Sequence, residues 1–198
     1  MYKLLILLCF ICCFSCQEKG NRKENQRGLL VQKNEVMKSF SAIEKDSAYL
    51  TSYQFNKVEQ PNGIIVFSYY GNEHNNFVVW CDTSKKKYKG VFAKADTVAL
   101  ELESEKIYSV NGKDFKLLKL VRNKGVTDGE ITYFFTTDIG LLVSKSNTWR
   151  IGQVLNPNKD DSDYVRLTAL LYRVLTDEEI FKNPMPESKI KFTQPKVE

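Results

Sequence analysis

Apolar and polar residues alternate in short runs along most of this chain, with turn residues between the runs. Val98, Leu100 and Leu102 share one face of such a run and Thr97, Glu101 and Glu103 the other, a period of two that predicts a half-buried strand. The run 114–121 alternates less cleanly: Lys116, Leu118 and Leu120 are nearly as apolar as Phe115, Leu117 and Lys119, which predicts a strand buried on both faces. Gln60-Pro61-Asn62-Gly63 reads as a tight turn, and Asn111-Gly112 as a two-residue hairpin loop whose residues tolerate positive φ. Asp128-Gly129 and Asp138-Ile139-Gly140 bracket a further run, with weaker punctuation at 71–75, 82–87, 94–96, 103–105 and 146–148. Strands are therefore expected at 53–58, 64–70, 77–81, 88–92, 97–102, 106–110, 114–121, 130–136, 141–145 and 149–155. Turn signals about 8–12 residues apart predict a mainly β fold: an antiparallel up-and-down meander of about ten strands. A sheet that wide curls into a curved sheet or partial barrel.

Short helices are expected to flank it. Leu30, Val31, Val36, Met37 and Phe40 fall at loosely helical spacing within 29–45. Leu167, Leu170, Leu171 and Val174 share one face of 164–175, with Asp163 placed to cap it, although the same stretch also alternates tolerably as a strand. Thr176-Asp177-Glu178-Glu179 has the spacing of a capping box and predicts a short helix through Phe181.

The first thirty residues follow a different logic. Lys3 precedes an almost unbroken apolar run, 4–14, then Ser15-Cys16 and a polar stretch. A basic start, roughly ten apolar residues and a small residue before a cut are the parts of a secretory signal, too short to span a bilayer. Cys13-Phe14-Ser15-Cys16 resembles the lipobox of bacterial lipoproteins, departing from it where Cys13 replaces the usual Leu. The resemblance implies removal of 1–15, fatty acylation of Cys16 and attachment of the chain to a membrane through that lipid. Several acyl chains on one cysteine anchor stably where one alone does not. Gln17, in place of Asp, resembles an outer-membrane address in the cell envelope. The chain then divides into a signal peptide 1–15, a flexible tether 16–28, a single mainly β domain 29–183 and an extended, Pro-containing tail 184–198.

Cysteine content follows from that division. Cys9, Cys12 and Cys13 leave with the signal and Cys16 carries lipid, so Cys81 has no partner for an intramolecular disulfide. Stability must come from a hydrophobic core. The composition supports one, at 42% hydrophobic and 27% charged residues. The formal charge of +5 includes Lys3 of the signal. So mild an excess does not suggest a nucleic-acid partner. Lys85-Lys86-Lys87-Tyr88-Lys89 reads as a solvated hairpin tip.

Catalytic constellations are sparse. His74, the single histidine, lies in a polar loop with no Gly-x-Ser-x-Gly elbow elsewhere, and with Cys81 it supplies too few ligands for zinc. Asn156, Asn158 and Asp160 resemble the opening of a calcium loop. Its sixth position holds Asp161 where Gly belongs, and its twelfth holds Leu167 where Glu belongs. Asp128, Glu130 and Asp138 flank two turns and could face the same end of the sheet as paired carboxylates. No metal, no cofactor and no catalytic residue is expected from these patterns.

The aromatic runs are the remaining candidates. Tyr69, Trp80, Tyr133 and Phe135 would line a ligand site if a concave sheet were lined by rings, as in the mouths of β-barrels; otherwise they form core. A curved meander with flanking helices resembles lipocalin-type carriers in outline, but no Gly-x-Trp stands near the first strand, and fold alone does not fix function. The expected function is a lipid-anchored envelope binding or interaction module, an immunity protein being one variant. A carrier of lipid or another hydrophobic ligand is the alternative, and an envelope hydrolase a second.

Overall fold

A computed structural model describes residues 30–41, 49–71, 76–93, 97–148 and 151–181. Cys16, the tether 16–28, His74, residues 149–150 of the expected last strand and the tail 184–198 lie outside the described residues. Ten antiparallel strands follow one another around a closed barrel: β1 (Leu30–Ser41), β2 (Leu50–Glu59), β3 (Ile64–Tyr70), β4 (Phe77–Asp82), β5 (Lys87–Phe92), β6 (Val98–Val110), β7 (Lys113–Arg122), β8 (Ile131–Thr136), β9 (Gly140–Ser146) and β10 (Ile151–Leu155). Each pairs with its sequence neighbours, and β10 closes on β1 in the register Met37↔Leu155 to Ser41↔Ile151. The expected meander is thus present, closed rather than partial. At one end, here the base, lie the start of β1, the turns at 60–63, 83–86, 111–112 and 137–139, and the end of β10. At the other end, the rim, β1, β3 and β7 finish.

Two strand assignments differ from the sequence reading. The segment expected to be a helix at 29–45 forms β1 instead. Its inner face carries Val31, Lys33, Glu35 and Met37, so two charges interrupt the alternation that marks a strand. The segments 97–102 and 106–110 form one strand, β6, whose register shifts between Leu102 and Ser104. The acidic stretch 103–105 marks a β-bulge there, not a turn. The number of strands is as expected because β1 is gained where two segments merge.

The turn chemistry follows the sequence closely. Asn111 and Gly112 have φ of 46° and 73°, and the Gln60 carbonyl accepts the Gly63 N–H at 2.9 Å. The helix α1 (Tyr164–Thr176) starts after Asp163, whose side chain does not cap it but accepts from Arg166. Helix 176–181 is not formed. Asp177 ends α1 and its carboxylate accepts from the backbone N–H groups of Glu179 and Ile180, holding a single turn through Phe181.

The alternation of β7 and β8 sorts two apolar layers. On the outer side Phe134 stacks on Phe181 at 5.0 Å, and Phe115, Leu117, Val143 and Val154 share that face by register. They are buried together with Leu170, Leu171, Val174 and Leu175 of α1. Arg173 donates to the Ser109 carbonyl, and Lys106 and Tyr108 both meet Asp177 at 2.7 Å, fastening α1 and its following turn to β6. On the inner side the lumen holds aromatic rings together with Met37, Val79, Cys81, Leu100, Leu118 and Leu120.

Candidate functional site

A ten-stranded barrel is wider than the eight-stranded kind whose lumen ordinary side chains just fill, so only large side chains can close it. Seven rings do so in a continuous circuit: Phe55, Tyr69, Phe77, Phe92, Tyr133, Phe135 and Phe67, back to Phe55. Successive centroids lie between 4.2 and 6.4 Å apart. Two contacts of the circuit, Phe92–Tyr133 and Phe67–Phe135, join strands that are not neighbours, so rings meet across the lumen. The Tyr69 hydroxyl accepts the Leu141 N–H at 2.7 Å, a further cross-lumen bond. Three of the four aromatic candidates, Tyr69, Tyr133 and Phe135, are therefore packed together in this circuit. Trp80 is not with them: it faces outward opposite Lys89, whose ammonium lies 5.3 Å from its ring.

The carboxylate candidates are also separated. Asp128 and Glu130 precede β8 at the rim, whereas Asp138 follows it at the base and pairs with Lys113 at 3.3 Å. The six-residue strand passes between them, so the idea that they face one end of the sheet is corrected. In the loop read as a partial calcium motif, Asn158 accepts from the Asp160 N–H and Asp161 from the Asp163 N–H. Those side chains hold the turn into α1. Cys81 is buried in the core, and desolvation pushes its thiol up to about 12, far from the thiolate that reactivity requires.

Among the described residues, two surface grooves bear on these candidates. The smaller, about 230 Å³, lies on the outer side where Lys119, inside the double-buried stretch of β7, reaches Glu103 of the β6 bulge at 2.8 Å; Glu130, Lys145 and Asn147 complete its polar wall. The larger, about 490 Å³, lies at the base where β10 leaves β1. The last bond between them runs from the Asn156 N–H to the Val36 carbonyl at 2.8 Å. Pro157 has no N–H with which to extend the ladder, and the chain turns through Asn158 to Asp161 into α1. Residues 30–35 of β1 consequently pair only with β2 among the described residues.

Glu35 forms part of the wall of this groove. Its side chain is only 3% exposed, with Oε1 2.9 Å from the Lys33 ammonium and Oε2 without a hydrogen-bond partner. Desolvation raises its carboxyl to about 7 against the opposing pull of Lys33. Burying an unsatisfied carboxylate oxygen is costly, and such groups concentrate at functional positions. Sequence reasoning missed both residues, because they lie in the stretch read as helical; the signal available was a Lys and a Glu two residues apart, which on a strand share a face.

No protein-family model, no curated protein and no solved structure matches the chain.

Proposed function

We propose that this protein is a lipid-anchored module of the bacterial cell envelope that holds a protein partner with the rim of its barrel. In this reading residues 1–15 are removed, Cys16 is acylated, and the tether 16–28 joins β1 at the base. The observation that carries the reading is the placement of exposed apolar side chains. Five of the seven large apolar side chains exposed among the described residues, Tyr49, Leu50, Tyr70, Val126 and Ile151, are each 46 to 69% exposed and belong to the rim, the end opposite the start of β1; Ile107 and Val165 lie elsewhere. Exposed large apolar side chains gathered at one end of a small domain favour a contact site there. The aromatic circuit supports a binding module over a lipid carrier, because the rings occupy the volume that a carried acyl chain would need.

Two experiments test it. Metabolic labelling with a fatty acid should tag the chain, and Cys16→Ser should abolish both the label and membrane retention. Crosslinking in the native envelope should capture a partner that Tyr49→Ser combined with Tyr70→Ser loses. Capture unaffected by those changes, or a lipid found co-purified by native mass spectrometry, would count against this assignment and favour the carrier.

A further inference from the structure

The geometry points to a second binding site at the base of the barrel: an extended peptide segment of a partner protein adds as an antiparallel strand to the open edge of β1, with a basic residue set beside Glu35. The site is independent of the rim and of the anchor, so either reading can fail alone.

Three observations converge. First, the backbone alternation of β1 is fixed at both edges. The Ser39 N–H donates to the Tyr49 carbonyl on the β2 side, and the Val36 carbonyl accepts from Asn156 on the β10 side. A strand residue points its N–H and C=O to the same side. Even-numbered residues therefore face β10, and Gln32 and Asn34, below the point where β10 departs, present free ladder positions among the described residues. Second, the groove beside that edge, at about 490 Å³, is within the range of about 300–1,000 Å³ typical of ligand sites. Third, the cross-strand chemistry is specified. Glu35 and Lys33 face the lumen side of β1 at the non-hydrogen-bonded positions of the open edge, where opposed side chains approach most closely. Glu35 Oε2 lacks a donor, and an added strand would place one side chain next to it and another, two residues later, next to Lys33. A Lys or Arg in the first position and an Asp or Glu in the second complete both pairs. Adding a strand to an exposed edge takes affinity from the main chain and specificity from alternate side chains.

The test uses the full chain and a fluorescein-labelled probe, acetyl-Thr-Val-Lys-Val-Glu-Val-Thr-amide, read by fluorescence anisotropy. The charge-swapped peptide, with Glu and Lys exchanged, and a probe N-methylated at its central Val are the controls. The matched probe is expected to bind at least tenfold more tightly than either, and Glu35→Gln to shrink its advantage over the swapped peptide to about twofold. Asn34→Pro removes an edge N–H while leaving the β2 ladder intact, and should abolish binding. The N-methylated probe asks the same question of the unmodified protein if that variant does not fold. Equal binding of all three probes, or no binding at millimolar concentration, overturns the proposal. Binding seen only after deletion of 182–198 overturns it as well, since the groove would then serve the chain's own tail.

Discussion

Glu35 gives the sharpest forecast of stability. Its carboxyl is raised from 4.5 to about 7, with desolvation the main cause and Lys33 the opposing one. Between those values the folded chain holds a proton that the unfolded chain has released, so stability falls as pH rises through this window. A rise of that size corresponds to about 3 kcal/mol at about 1.4 kcal/mol per unit, a large fraction of the roughly 5–15 kcal/mol that holds a domain together. Glu35→Gln keeps the shape and removes the titration. Urea unfolding, followed by tryptophan fluorescence at pH 5 and pH 8, should show the two proteins within about 1 kcal/mol at the lower pH. At the higher pH the variant should be more stable by about 3 kcal/mol. Lys33 on its own strand, Tyr53 opposite on β2 and Tyr69 beyond face Glu35; burial raises both tyrosines above their ordinary value, so they stay protonated at both pH values. A constant offset between the proteins at both pH values would refute the argument.

Other substitutions report on separate parts of the fold. Asp177→Ala removes the acceptor shared by Lys106, Tyr108 and two backbone N–H groups; a loss of about 1–2 kcal/mol in urea unfolding is expected. Burial works to raise the Asp177 carboxyl, but Lys106, Tyr108 and the Ile180 N–H together hold it low. Its contribution is therefore present above the unfolded pKa and fades as pH falls, a trend that unfolding at pH 7 and pH 3 would reveal. Gly140→Ala should be far more damaging, by about 3 kcal/mol or more, because Gly140 has φ of 107° and an added Cβ would strike the Tyr69 hydroxyl and the Phe55 ring. Cys81 should resist iodoacetamide in the folded chain and react in urea, as peptide mapping by mass spectrometry would show. Phe181→Ala should cost about 3 kcal/mol by uncovering Phe134.

Legibility in the sequence tracked the local or distant origin of each feature. Turns read well because Asn111-Gly112 and Pro61-Asn62-Gly63 determine backbone angles without help from the rest of the chain. β7 read well because both of its faces are buried. β1 did not, since its inward positions include Lys33 and Glu35, tolerated there only by their mutual pairing and by a groove that forms when β10 turns away. Glu103 looked like punctuation because a bulge and a turn both interrupt alternation. The rings at 69, 133 and 135 were recognised as candidates for core or ligand, but choosing between these required knowing which strands face one another across the lumen. Phe92 and Phe67, which close that circuit, were not singled out, because only tertiary packing connects them to β8.

The order of the strands also bears on how the barrel assembles. Nine of its ten seams join sequence neighbours, and only the β10–β1 seam joins distant segments, such as Met37 to Leu155. Hairpins form quickly, while shutting so long a loop carries a large entropic cost before any contact repays it. The cylinder should therefore zip from its turns and latch last. That final step also brings Asn156 to Val36, creating the boundary of the basal groove together with the closed wall.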